Sequence, residues 1–396
     1  MGRIGKIVIL VVIIALAGIA IAWATSPDPR HNPASFEDER VRVRLAPFED
    51  AVTLAQFEDG GETATLLVLG RSGETVSGVD LRELGGEALG DPFEALDSAD
   101  IEGFSDIALG RFPQRSLAIA DLLPSGPRGT RHIGIGTNFP EHAEEANSQS
   151  VFHFPKFGPA TPARTTVRAE EGVLLDYEVE LCMRFDRDIA SRADFDAAVK
   201  GLFLCADFTN RNALVELADP DNLDSGYGFS DAKSGSDFFP TGPFLVIPRD
   251  WEAFTADLRM TISVNGERRQ DARGAEMTLD FGELAEKALA DMAEPRFFYD
   301  GGFVKLAESA RIDTSSTLMS GTSEGTIFTP PTRGDMIEAV AAYLQQGGPL
   351  SGRAFMDSAR ETFIANELET RHYLQSGDRV RYASNYLGDI EVEVVR

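Results

Sequence analysis

The sequence predicts a β-rich α+β protein preceded by one apolar helix, and three features carry that reading. Short runs that alternate apolar and polar residues, or are apolar throughout, recur between Gly-, Pro- and Asp-rich turns, as half-buried and buried strands require. Segments with helical periodicity interrupt them singly, except for a pair near residue 350. Ahead of everything lies an uncharged run from Ile7 to Ala24.

That run has no polar face, and its length sits at the short end of what spans a bilayer and beyond a usual signal-peptide core. Arg3 and Lys6 precede it, so the N-terminus is expected inside and the rest of the chain facing outward. Residues 1–24 are therefore read as an uncleaved membrane anchor, with the membrane as a partner through residues 7–24. Ala22-Trp23-Ala24 has the small-x-small form of a cleavage site, so release as a secreted or periplasmic protein is the alternative.

Residues 25–40, rich in Pro, Asp and Asn, read as a linker. From Val41 onward, runs such as Val41-Arg-Val-Arg-Leu45 and Thr63-Ala-Thr-Leu-Leu-Val-Leu69 indicate short strands, and residues 41–125 are expected to form a small N-terminal domain with a structural or partner-binding role. Leu122-Leu-Pro-Ser-Gly-Pro-Arg-Gly129 breaks helix and strand alike and marks a boundary.

The larger domain, 130–396, carries strand patterns at Arg131–Gly136, Leu174–Phe185, Gly201–Phe208, Phe244–Ile247 and Met260–Val264, the last ending in the hairpin signal Asn265-Gly266. Helices are expected at Asp194–Lys200 and Asp280–Met292, and the alternation of Ile390-Glu-Val-Glu-Val394 closes the chain with a half-buried strand. Residues 329–375 differ in texture. Ile337, Val340, Ala341 and Leu344 repeat at helical spacing, Gly347-Gly348 stops that helix, and a second helical pattern runs from about Arg353 to Leu374. This is an αα-hairpin inserted in the domain, either a cap on a site or partner or a surface elaboration.

With 37 Lys and Arg against 64 Asp and Glu, the net charge is −27. Nucleic acid and anionic membrane surfaces are disfavoured as partners and a cation is favoured as ligand, although on composition alone a solubility role for the charge is the stronger reading. Cys182 and Cys205, both in apolar runs, are the only cysteines, which excludes a disulfide framework but leaves one bridge open if their strands are neighbours.

The candidate chemistry rests on three groups. In Asp176-Tyr-Glu178-Val-Glu180-Leu-Cys182, a strand would put Glu178 and Glu180 on one face. An isolated E-x-E is more often a solvated face, but apolar residues flank this one on both sides. Two buried like charges need a cation, and hard oxygen donors suit Mg²⁺, Mn²⁺ or Ca²⁺. The run Gly201-Leu-Phe-Leu-Cys-Ala-Asp207 delivers a third carboxylate, followed by Arg211. In Pro140-Glu-His142-Ala-Glu-Glu145, a helix would place His142 and Glu145 within hydrogen-bond reach, orienting the imidazole as a base; a surface histidine beside an acidic patch is the alternative.

These motifs, with Lys233-Ser234 ahead of Gly242-Pro243, Val264-Asn-Gly-Glu267 and Ser320-Gly-Thr-Ser-Glu-Gly325, stand in the order found in the fumarylacetoacetate hydrolase superfamily, which the chain resembles over about 130–326 and again at Ser376-Gly-Asp378. The resemblance implies a mixed β-roll catalytic domain, commonly a homodimer, with a small N-terminal domain. It implies Glu178, Glu180 and Asp207 as metal ligands for Mg²⁺, or Mn²⁺ or Ca²⁺, and His142 with Glu145 as the water-activating pair. It further implies that Arg211 and Lys233 line the substrate pocket, Lys233 with a catalytic charge, and that Thr322 touches the substrate carboxylate. The departures are Phe139 for a frequent Tyr, Gly321-Thr-Ser-Glu-Gly325 for G-T-P-x-G, and Ser236 for a common Asp. The activity expected is metal-dependent hydrolysis of a carbon–carbon bond in a 2-oxo or diketo acid, through an enolate. The alternatives are decarboxylation, isomerisation or hydration of a 2-oxo diacid at the same site, and a non-catalytic, membrane-tethered binding protein.

Overall fold

The computed structural model describes residues 3–99, 101, 103, 105–148, 150–219 and 222–396. The chain divides into two compact units, Pro33–Thr326 with Leu374–Arg396, and Met1–Asn32 with Ile327–Tyr373.

The first unit is built on a ten-stranded sheet. Its order runs from the edge strand Arg115–Ala118 through Thr75–Asp80, Glu62–Ser72, Ala51–Asp59, Leu245–Pro248, Lys200–Ala206, Val179–Phe185, Leu318–Met319 and Arg131–Gly136 to Phe152–Phe157. Neighbours are antiparallel except where Leu318 meets Ile133. The stretch 41–125 thus contributes four strands to the same sheet and belongs to the same compact unit as the strands that follow it. Val41–Leu45, expected as a strand, runs extended outside any ladder; Arg44 N–H, bonded to the Asn385 carbonyl, ties it down. Val41, Val43 and Leu45 are half-buried while Arg42 and Arg44 are exposed, so the alternation sorts two faces without a ladder.

Leu54, Leu67, Val79, Phe203, Leu245 and Met319 pack together on one side of this sheet, with Cys182 and Cys205 among them. The two cysteines, on adjacent antiparallel strands, are joined as a disulfide across a Cα separation of 6.0 Å. A second, five-stranded sheet orders Glu267–Arg273, Arg259–Val264, Arg379–Ser384, Asp389–Val395 and Arg164–Arg168. Its hairpin turns on Asn265 and Gly266, both at positive φ (52° and 85°), the primed geometry that matches strand twist. The helix Phe281–Ala290 begins at a capping box of Asp280 and Glu283.

In the other unit, Arg3–Ala24 forms one helix, long and apolar enough to cross a membrane or to act as a signal sequence. The insertion forms the antiparallel helices Arg333–Gln345 and Phe355–Thr370, the first opened by a Thr332–Asp335 capping box.

One buried carboxylate ties the two sheets together. Asp389 accepts from Arg71 of the large sheet at 2.7 Å, and from Arg164 at 3.0 Å and Arg381 at 2.7 Å within the small one. Burial works against its charge, but Arg71 and Arg164 outweigh this and hold its carboxyl below the usual range. The stabilisation is therefore complete above the unfolded value of about 3.9 and fades as pH falls through the lower folded value. Replacing Asp389 by Asn should lower stability at neutral pH by about 3 kcal/mol, because Arg71 loses its carboxylate partner and Arg164 keeps only the more exposed Glu74. In urea melts the gap between the two proteins should close below the folded value; a gap independent of pH would contradict this role.

Candidate active site

The strand expected over Leu174–Phe185 is broken at Tyr177–Glu178, where the chain changes partners. Asp176 pairs with Thr209 in a two-residue ladder, whereas Val179 pairs with Ala206. Between them, the Asp207 N–H donates to the Glu178 carbonyl at 2.9 Å. This break seats Asp207, immediately after Lys200–Ala206, against Glu178 and Glu180. One carboxylate oxygen from each lies within 4.8 Å of the other two, and the three residues are 4%, 1% and 0% exposed.

Three carboxylates cannot be buried together without compensation. Lys233 ends the short helix Phe229–Lys233, and its Nζ donates to Glu178 Oε2 at 2.6 Å, Asp207 Oδ2 at 2.7 Å and Thr209 Oγ1 at 3.0 Å. Arg211 opens the helix Arg211–Leu217; its Nη2 donates to Glu178 Oε1 and its Nε to Asp176 Oδ2, both at 2.8 Å. Lys156, on Phe152–Phe157, donates to Asp207 Oδ1 at 2.6 Å and to the carbonyls of Lys233 at 2.5 Å and Phe238 at 3.3 Å.

The resulting cluster sets four carboxylates, Asp176, Glu178, Glu180 and Asp207, against three cations. Burial opposes the Glu178 charge, but Lys233 and Arg211 outweigh it and hold that carboxyl below the usual range. Burial likewise opposes the Lys233 ammonium, and Asp207 and Glu178 more than restore it. Glu180 is on the losing side: burial first, then Asp207 and Glu178, push its carboxyl well above the ordinary range, against Lys233 and one hydrogen bond from the Gly321 N–H at 2.8 Å. Gly321 has φ of 78°, the left-handed turn that aims this N–H inward. The cluster is short of positive charge at Glu180, and its donors are hard oxygens; both properties fit a divalent cation of the Mg²⁺, Mn²⁺ or Ca²⁺ kind.

The loop that follows Leu318–Met319 is stitched to the carboxylate strand. Ser320 exchanges hydrogen bonds with Leu181, its N–H donating to the Leu181 carbonyl and its Oγ accepting from the Leu181 N–H, each at 3.0 Å. Thr322 Oγ1 donates to the Val179 carbonyl at 3.0 Å and accepts from Gln270 Nε2 at 3.0 Å, so its hydroxyl is engaged within the protein. Gln270 also donates to the carbonyls of Ser323 and Glu324 and accepts from the Val179 N–H.

The histidine pair forms as its spacing predicts. Thr137, a β-branched residue at φ of 58°, turns the chain from Arg131–Gly136 toward the helix Pro140–Glu145. His142 Nδ1 lies 2.9 Å from Glu145 Oε2, while Glu145 Oε1 accepts the Gly325 N–H at 2.8 Å. Glu145 thus bridges the imidazole and the Thr322 loop, and both side chains keep slight exposure, 15% and 11%.

All eight residues singled out from the sequence fall in this region, Arg211 and Lys233 as ion-pair partners of the carboxylates rather than as free pocket walls. Sequence reading passed over Lys156, Asp176 and Gln270. The signal for Lys156 was present, since a lone lysine in Val151-Phe-His-Phe-Pro-Lys-Phe157 must find a buried anion. Gln270 gave none, because its hairpin reads as polar.

Residues 131–395 match the family model described as the fumarylacetoacetate hydrolase C-terminal domain. An uncharacterised protein of Pyrococcus abyssi is 28% identical over 167 residues, covering 40% of this chain and 71% of that one. Another, of Pyrococcus horikoshii, is 26% identical over 167 residues, 40% of this chain and 69% of its own. A crystal structure from Mycobacterium smegmatis, provisionally called an HpcE protein, aligns with a TM-score of 0.53 at 19% identity over 87% of this chain and all of that chain, a likeness of fold.

If Glu180 is the carboxylate without a cation, Glu180→Gln should stabilise the metal-free protein, by about 1–2 kcal/mol on the scale of relieved active-site strain. The substitution keeps an acceptor for the Gly321 N–H. In chelator, thermal melts should rise for the variant; a fall would show that the carboxylate is already well compensated.

Proposed function

The chain belongs to the fumarylacetoacetate hydrolase family, and on that premise we propose that it hydrolyses a carbon–carbon bond in an acylpyruvate-like 2,4-diketo acid. The observation that carries this is the His142–Glu145 pair, held by the Gly325 N–H in the same unit as the buried, converging carboxylates of Glu178, Glu180 and Asp207. Glu178, Glu180 and Asp207 would hold a divalent cation, which when bound supplies Lewis-acid polarisation of a 2-oxo acid.

With its Nδ1–H donated to Glu145, His142 presents Nε2 as the basic nitrogen, which takes a proton from water. The hydroxide adds to the distal ketone carbon. The bond from that carbon to the methylene breaks, its electron pair passes to the 2-oxo fragment as an enolate, and protonation there gives pyruvate beside the new carboxylic acid. Lys233 and Arg211, fixed by Glu178, Asp207 and Asp176, keep positive charge where the negative charge develops and need no reorganisation to do so. Thr322 is a positioning residue in this reading, since its hydroxyl locks the loop to Val179 and Gln270.

Release of pyruvate from acylpyruvates in the presence of Mg²⁺ or Mn²⁺ tests the proposal. His142→Asn should cut the rate by about 10²–10⁴-fold while leaving the melting temperature within a few degrees. Turnover that survives this change would move the reading to decarboxylation or a double-bond shift, neither of which needs an attacking water.

We also read Arg3–Ala24 as an uncleaved anchor with the larger unit outside. Arg3 and Lys6 ahead of the apolar run support this orientation, and so does the Cys182–Cys205 disulfide, which belongs to an oxidising compartment. The enzyme should then sediment with membranes and resist extraction by carbonate.

A further inference from the structure

The apolar residues that mark the insertion in the sequence are not spent on its own core. In the helix Arg333–Gln345 the buried positions are Gly334 and Ala339, whereas Met336 and Val340 are each 45% exposed and Leu344 is 61% exposed. Beyond the turn, Leu350 is 96% exposed and Met356 53%. The hairpin is nevertheless well made. Tyr343 meets Phe355 edge to face at 5.5 Å, its hydroxyl reaches the Arg353 carbonyl at 3.4 Å, and Gly347 and Gly348 at positive φ reverse the chain. A packed element that turns its Met, Val and Leu side chains outward is built to meet another apolar phase.

Two further observations say which phase. No charged side chain lies between Glu338 and Arg353, although charged residues make up 26% of the chain. The contacts with the N-terminal helix also fix a direction. Ser26 Oγ accepts from the Gly334 N–H at 2.8 Å, and Trp23 Nε1 donates to Glu338 Oε1 at 2.6 Å. Stepping back along the N-terminal helix matches stepping forward along Arg333–Gln345, so the two run antiparallel. Trp23 is the kind of residue that sits at a membrane interface. From Glu338 beside it, the helix continues to Gln345, about 10 Å at 1.5 Å per residue, back along the apolar span.

We propose that the hairpin tip, residues 339–352, is seated in the headgroup–acyl boundary of the bilayer that Arg3–Ala24 crosses, with Leu344 and Leu350 in the acyl region. Glu338 and Arg353 mark the level at which charge resumes. The partner is the neutral lipid boundary rather than anionic headgroups, since the tip offers no cations and the chain is strongly acidic. The insertion thus adds an interfacial foot to a single-span anchor. The proposal rests on the reading of Arg3–Ala24 as an uncleaved anchor.

The test uses the full chain in phosphatidylcholine proteoliposomes. Leu350→Cys carries an environment-sensitive fluorophore; Cys182 and Cys205 are buried in their disulfide and do not compete for it. A label at Glu369→Cys, exposed near the other end of the hairpin, is the reference. The label at 350 should lose most of its emission to doxyl-labelled lipid and be shielded from aqueous iodide, while the label at 369 shows the reverse. With the N-terminal helix retained by intact mass, quenching of position 350 by iodide would overturn the seated tip and leave the anchor standing. Shielding from both quenchers would overturn it too, in favour of a second copy covering the tip. Loss of the N-terminal helix from the mature chain would remove the anchor reading and the proposal together.

Discussion

The burial of four carboxylates among only three cationic side chains is the constraint on which this structure turns. Asp176, Glu178, Glu180 and Asp207 are buried against Lys156, Arg211 and Lys233. In water four carboxylates and three cations would be unremarkable neighbours, but at the low dielectric of a core the uncompensated one cannot be ignored. Glu180 carries the deficit, with a backbone N–H as its hydrogen-bond donor and two like charges beside it. Such a cluster keeps its geometry only if the surroundings hold each carboxylate in place.

The fold is arranged to hold it. The break at Tyr177–Glu178 lets one strand serve two ladders, so that carboxylates from either side of the break face the end of Lys200–Ala206. A disulfide joins the two strands deeper in the sheet, between Cys182 and Cys205. From the far side, Ser320, Thr322 and Gln270 bind the Gly321 loop to Leu181 and Val179, and Glu145 fastens the histidine helix to the same loop. His142, the Gly321 loop and the carboxylates are thus connected by a continuous set of hydrogen bonds. Beyond the family resemblance, this rigidity is what makes a water-activating role for His142 physically reasonable.

Much of this was legible in the chain because the patterns were local. The spacing of Glu178 and Glu180 within apolar flanks, an Asp at the end of an apolar strand, and a histidine three residues from a glutamate are each properties of a few neighbouring residues, and each survives into the fold. The Asn265-Gly266 turn and the alternation through Ile390–Val394 also appear as read. What the sequence withheld was set by long-range pairing. The Glu178 break depends on Thr209 and Ala206 arriving together, Arg211 is held by both Asp176 and Glu178, and Lys156 finds its anion 51 positions away. Val41–Leu45 alternates like a strand yet has no ladder to join, since alternation reports two unlike faces and says nothing of a partner. The helix Arg333–Gln345 shows the same limit in reverse: its periodicity was plain, but periodicity alone cannot tell an apolar face that packs on protein from one that stays open.

The cation seat itself is tested most directly by an anomalous difference map from crystals grown with Mn²⁺. A single strong peak bonded to oxygens of Glu178, Glu180 and Asp207 is the expected result. Manganese bound elsewhere, with Glu180 still bonded to Gly321 and no density between the three carboxylates, would contradict it.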